Sequence, residues 1–271
     1  MISPRLVSNR HAAVRSLAKL LYNYQMDGIL LVDKPAGWTS HDVVGKLRGG
    51  IKKATGQKIK VGHTGTLDPA ATGLMILVVG SYTKRAGEFS KLDKTYEVEA
   101  TLGAISTTGD AEGAITAYSD SSNKIRRSSK IVLKKEGGEV QPSVSVVEAT
   151  MKGFDGQQMQ TPPAYSAIKV DGQRAYKLAR QGKAPKLEPR SITIYDISGL
   201  KYAYPRLGFT VKVSSGTYIR SLVESIGQKL GTGAYTSALR RTEVGNFNVK
   251  DAIPIGNLNF EEIREHLKLT N

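Results

Sequence analysis

Apolar and polar positions divide the chain into short blocks with distinct periods. "GILLV" from Gly28 and "LMILVV" from Leu74 are unbroken apolar runs, the pattern of short buried strands. The first leads through "DKPAGWTS" into a Pro-Gly turn, after which Thr39 or Ser40 caps a helix carrying Val43, Val44 and Leu47. After the second run, "YTKRAGEFSKL" predicts a helix, and in "KTYEVEATLGA" the alternation of Tyr96, Val98, Ala100 and Leu102 predicts a half-buried strand.

Further along, "AYSAIKVDGQRAYKLARQG" predicts a strand, a turn at Asp171-Gly172 and a helix. "RSITIYDISGLKY" and "RLGFTVKVSS" read as two antiparallel strands. "TYIRSLVESIGQKL" then places Ile219, Leu222, Val223 and Ile226 on one helical face. "STTGDAEG" is turn chemistry, and "SDSSNKIRRSSKIVLKKEGGE" is a solvated loop or insertion with little to bury. Strands and helices interleave without a repeat, so the fold class is α+β with a largely antiparallel sheet flanked by helices and loops. Three segments follow: a basic N-terminal extension over 1–26, a folded domain over 27–252 and a short C-terminal tail over 253–271.

Composition narrows the functional classes. Among 271 residues, 39 Lys and Arg face 24 Asp and Glu, a formal charge of +15 that points to an anionic partner such as nucleic acid or a membrane surface. The apolar runs are far shorter than the ~20 residues that span a bilayer, so a membrane-spanning protein is not expected. With no cysteine there are no disulfides, no thiolate chemistry and no cysteine-ligated metal. The histidines, His11, His41, His63 and His266, are scattered without ligand spacing, so a metal centre is not expected. Residues 1–26 hold Arg5, Arg10, Arg15 and Lys19; they read as a basic arm in a cytoplasmic protein, or as a transit peptide to the mitochondrial matrix.

One loop stands out chemically. In "VGHTGTLDPAATG", Asp68 precedes Pro69, which restricts it toward extended geometry, and Gly62, Gly65 and Gly73 permit close backbone approach. Asp before Pro commonly makes only local turn hydrogen bonds, so the residues alone leave both a structural and a chemical reading open. A phosphate-cradling P-loop is excluded, since no G-x-x-x-x-G-K-[ST] occurs.

The blocks "GILLVDKPAGWTSHDVV", "GHTGTLDPAATG", "KTYEV", "PPAYSAIKVDGQRAYKLAR" and "GTYIRSLVESIGQKLGTGAYTSALRRTEVG" occur in this order between about Asp27 and Gly245. Together they resemble the TruB-type tRNA pseudouridine synthases. The resemblance implies the pseudouridine synthase fold and isomerisation of the T-loop uridine in tRNA, the base being detached, rotated and rejoined through carbon. It implies no cofactor and no guide RNA, a monomer, and the T-arm stem-loop as partner. By motif position it makes Asp68 the catalytic carboxylate, as nucleophile or through a glycal. Arg220 becomes its partner, Tyr96 the ring against the flipped base, His63 a contact to the extruded region, and Tyr218 and Leu239 the lining of the pocket. An arginine beside Asp68 lowers a carboxyl pKa. Lys34, Lys84, Lys169, Arg240 and Arg241 are candidates for phosphate or local structural contacts.

Two departures accompany the match. Ala70 stands where many relatives carry a larger apolar residue, and only a short stretch follows Val249 where bacterial relatives continue into an RNA-binding module. The basic arm and "NKIRRSSKIVLKK" are expected to replace some of that grip. The competing reading is a non-catalytic RNA-binding protein or a tRNA-folding chaperone.

Overall fold

The computed structural model describes residues 26–118, 133–136, 139–166, 168–170, 172–183, 185–256 and 259–270. The basic arm before Met26, the turn residue Asp171 and most of the expected solvated insertion lie outside the described residues.

In chain order the elements are β1 (Gly28–Lys34), α1 (Ser40–Thr55), β2 (Val61–His63), β3 (Thr72–Val79), α2 (Ala86–Ser90), β4 (Lys94–Leu102), β5 (Ala104–Ser106) and β6 (Ile115–Ala117). Next come β7 (Leu133–Glu136), β8 (Glu139–Pro142), α3 (Val144–Lys152), β9 (Gly156–Gln160), β10 (Lys169–Val170), β11 (Gln173–Arg174) and α4 (Ala175–Arg180). The chain finishes with β12 (Arg190–Ala203), β13 (Arg206–Val213), α5 (Ile219–Leu230), β14 (Ala234–Val244), β15 (Phe247–Asn248), β16 (Ile253–Pro254) and α6 (Phe260–His266).

Ten strands join one sheet whose main path runs β16-β1-β3-β14-β4-β13-β12-β9, with β2 added to β3 and β15 to β14. The pairs β1–β16 and β3–β14 are parallel and the rest of the path is antiparallel, the mainly antiparallel mixed sheet that the sequence pattern predicts. The two unbroken apolar runs become neighbours, β1 against β3, and both faces of that pair are covered. Leu30, Val32, Met75 and Leu77 face the main core, while Ile29, Leu31, Leu74, Ile76 and Val78 face a second cluster with Phe89. Strands buried on both sides have no reason to alternate. β4 does alternate, and Tyr96, Val98, Ala100 and Leu102 are its buried face.

Thr39 is the residue that caps α1. Its side chain accepts from Asp42 N while Asp42 accepts from the Thr39 backbone, a reciprocal capping box. Ser40 is freed for another task, described below. The helix predicted after β3 opens instead as a tight 3-10 turn, Gly80–Arg85, and only then becomes α2. Its N-cap residue Val79 supplies no side-chain acceptor, and the first N–H groups go elsewhere, Gly80 N to Lys60 O and Ser81 N to the Asp27 carboxylate. Strand β14, at the centre of the sheet, has no alternation in its sequence to predict it; a register shift between Thr236 and Ala238 breaks the two-residue period there. Residues beyond 252 pack on the same body: β16 pairs with β1, Ile263 of α6 is buried, and Lys268 exchanges backbone bonds with Ile29.

Candidate active site

Asp68 sits in the loop between β2 and β3, where the edge of β3 is shared. Residues Leu77 to Val79 pair with β2, Thr72 and Gly73 pair with β14, and the chain of the loop spans the interval. Thr64 bonds to Ile76 O at the start of that interval, and the guanidinium of Arg241 takes Leu74 O (2.7 Å) and Gly65 O (3.1 Å). Gly73, with φ +105°, lies so close to β14 that an added Cβ would meet Arg241 O at 2.2 Å.

The loop is also fastened on both sides of Asp68. Ser40 Oγ accepts from Leu67 N at 2.9 Å and donates to Leu67 O at 3.0 Å. On the other side Pro69 O accepts from Gly37 N (2.9 Å) and from Lys34 Nζ (3.1 Å), and the same ammonium donates to Pro35 O and Trp38 O. Lys34 is fully buried, so of the two roles expected for it the local one holds. Burial brings its pKa down to about 8, with Asp68 pulling upward. "KPAGWTS" is thus the clamp for the loop, a function its sequence does not announce.

Arg220 is the second residue of α5 and is 6% exposed. Its Nε stands 3.0 Å from Asp68 Oδ2 and 3.7 Å from Asp110 Oδ2, while its two terminal nitrogens donate to Thr108 O (2.8 Å) and Tyr165 O (2.9 Å). A single buried cation therefore faces two carboxylates and two carbonyls. Asp110, absent from the sequence-derived set, is buried and accepts from the Thr108 hydroxyl and from Glu112 N. Gly109, at φ +76°, lets this turn close on α5, since a Cβ there would lie 2.5 Å from Glu224 Oε1 and 3.3 Å from Arg220 Cβ. "STTGD" reads as an ordinary turn, and nothing local marks its aspartate as a neighbour of residue 220.

Electrostatics correct one expectation. Arg220 does pull the Asp68 pKa down, but burial outweighs it, Asp110 pushes the same way as burial, and the net direction is upward. Glu224, half-buried on α5, is also raised, first by burial and then by Asp110. His63 is held below the ordinary histidine value by burial and by His41, whose ring meets it edge-on at 6.0 Å.

A cavity of about 20 Å³ opens between the loop, α5 and β14, walled by Asp68, Asp110, Arg220, Thr236 and Leu239 among others. Asp68, Arg220 and Leu239 are brought together there. His63, Tyr96 and Tyr218 do not line it: Tyr96 is 8% exposed and sits opposite Arg241 in the β4–β14 pairing, and Tyr218 precedes α5. Arg240 bonds Asp33 through both terminal nitrogens (3.1 and 2.7 Å) and Arg241 is buried, so both make local contacts; Lys84 and Lys169 are exposed. A larger cavity, about 360 Å³, lies at the far end of β3 by Asp27, Lys60 and Lys84, away from this cluster.

Residues 52–219 match the sequence model of the TruB family pseudouridylate synthase N-terminal domain, and residues 220–267 match that of the tRNA pseudouridylate synthase B C-terminal domain. The two matches meet inside α5. The tRNA pseudouridine synthase B of Opitutus terrae is 40% identical over 85% of this chain and 86% of its own length. That of Clostridium acetobutylicum is 42% identical over 89% of this chain and 75% of its own. Among solved structures, a Cbf5-Nop10-Gar1 complex contains a chain 26% identical with a TM-score of 0.63, matched over 90% of this chain and 60% of that one. An H/ACA RNP bound to a substrate RNA containing 2'-deoxyuridine gives 26% and 0.56, over 85% of this chain and 52% of the other. This chain thus spans a little over half of those solved chains. With matches that run from residue 52 to 267 and relatives aligned over most of both lengths, the chain belongs to the TruB family of pseudouridine synthases.

Proposed function

We propose that this protein isomerises the T-loop uridine of tRNA to pseudouridine, with Asp68 as the catalytic carboxylate and Arg220 as its brace. The observation that carries the reading is the 3.0 Å contact of Asp68 with a buried arginine, in a loop clamped on both flanks, in a chain of this family. Asp68 is 36% exposed at its side chain, so one edge remains open to a ligand. Its carboxylate acts on the ribose carbon or base of the nucleotide, by addition or through a glycal. The bond from ribose to nitrogen breaks, the base turns, a carbon–carbon bond forms at the ring carbon, which loses its proton, and the freed ring nitrogen takes one up.

A cavity of about 20 Å³ has room for a water molecule and not for a pyrimidine, so the uridine enters by displacing the wall around Leu239. Extruding the base from a stacked loop costs a few kcal/mol, which the aromatic rings Tyr96 and Tyr218 offset as the site opens. The protein acts without a guide RNA and as a monomer, in the cytoplasm or, if residues 1–26 direct it there, in the mitochondrial matrix. No helix of the described residues is long and apolar enough to cross a membrane.

The test is pseudouridine-selective chemical labelling of an unmodified tRNA transcript. Labelling at one T-loop position with wild-type protein, and none with Asp68→Asn, supports the reading. Tight binding without labelling by the wild-type protein overturns it in favour of a non-catalytic RNA binder.

A further inference from the structure

Tyr218 is the N-cap residue of α5, yet no side chain caps the helix from within its own turn. The task falls to a residue 58 positions earlier. Gln160, last residue of β9, donates from Nε2 to Tyr218 O at 3.0 Å and accepts from Tyr218 N at 2.8 Å. Tyr218 O also receives the first helical bond, from Leu222 N, so the carboxamide locks the residue from which α5 departs. A carboxamide can donate and accept at once, whereas a carboxylate offers no donor and an ammonium no acceptor.

The chain that continues from Gln160 lies across the same helix start. Thr161 O accepts from Ser221 Oγ, and Tyr165 O accepts from Arg220 at 2.9 Å. Two residues beyond the locked Tyr218 stands Arg220, whose direction toward Asp68 is set by where the helix begins. We propose that Gln160 is a positioning residue of the reaction: by bonding both backbone polar groups of Tyr218 it fixes the start of α5, and so holds Arg220 against Asp68 and Tyr218 beside the pocket.

This inference rests on the function proposed above, so its test includes a measurement that needs no turnover. Gln160→Met keeps length and shape but removes both bonds. In the full chain with a tRNA substrate, kcat should fall about 10- to 100-fold, the scale of a misplacement near 1 Å, while KM changes less than about twofold. Independently of substrate, the carboxyl carbon of Asp68, followed by NMR with labelled aspartate, should titrate at higher pH than in the wild type. The reason is that a displaced Arg220 no longer pulls that value down and Tyr218 moves with the helix start, while Asp110, Glu112 and Lys34 still face the carboxyl.

Gln160→Glu retains the acceptor for Tyr218 N and loses the donor to Tyr218 O; it should fall between the other two proteins in kcat. It also serves if the methionine variant does not fold. A lower melting temperature with unchanged kcat and unchanged Asp68 titration would make Gln160 structural only and overturn the proposal. So would a loss confined to KM. Wild-type protein that forms no pseudouridine would sink the proposed function instead, and the Asp68 titration would still decide the positioning role.

Discussion

Asp68 is held in a compromise. Arg220 favours its charge, yet burial and Asp110 together push its pKa above the ordinary aspartate range. Catalysis that needs the carboxylate must therefore fail at higher pH than an exposed aspartate would dictate, and the acid limb of the pH–rate profile should show it. The stability consequence has the opposite face. Between the ordinary aspartate value and the raised one, the folded state binds more protons than the unfolded chain, so ionising Asp68 costs stability above that window. Asp68→Asn should accordingly lose about a thousandfold or more of the activity, the scale of removing a charge-stabilising group. Its melting temperature at neutral pH should be no lower than that of the wild type. Arg220→Lys keeps the charge but not the fork that reaches Asp68, Thr108 O and Tyr165 O together. Its kcat should fall roughly 100-fold, read in single-turnover assays.

At the level of elements, the site is a junction of one loop, one helix start and one turn, and each is pinned by side chains bonding to backbone. Lys34 at the end of β1 satisfies three carbonyls, one of them on the residue after Asp68. Lys34→Met removes the donor shared by the Pro35, Trp38 and Pro69 carbonyls, of which Pro69 O keeps its bond from Gly37 N, a cost of about 1–3 kcal/mol that thermal melting should register. The loop was legible in the sequence as small residues around an aspartate before proline; its clamp was not. Side chain to carbonyl bonds leave no pattern, since every residue offers the same acceptor. For the same reason the sequence leaves Arg240 and Arg241 open between phosphate and local structural contacts, and in the structure they anchor Asp33, Leu74 and Gly65.

For the whole molecule, the charge of +15 is unevenly used. Arg220 and Arg241 are buried in the site and its support, whereas residues 169–190 hold seven Lys or Arg against two acids, and Lys177, Lys183 and Lys186 of that stretch are exposed. Phosphate contacts there release counterions, so the logarithm of tRNA affinity should fall linearly with the logarithm of salt, by roughly 0.7 to 0.9 per phosphate engaged. Reversing Lys177 and Lys183 to Glu should weaken binding and flatten that slope, with kcat at saturating tRNA unchanged. Filter binding across a salt series checks both.

Local periodicity was sufficient for the strands β1, β3 and β4 and for the apolar faces of α1 and α5, because burial on one side or two repeats over a few residues and is written in them. Motif order pointed to Asp68 and Arg220. The tertiary structure alone decided that Asp110 joins them, that β14 occupies the centre of the sheet, and that Lys34, Ser40 and Gln160 hold the backbone around the carboxylate. Their contacts to the loop, to Tyr218 and to Arg220 span between 27 and 110 positions of the chain, and contacts at such separations arise from packing, which no short window of sequence encodes.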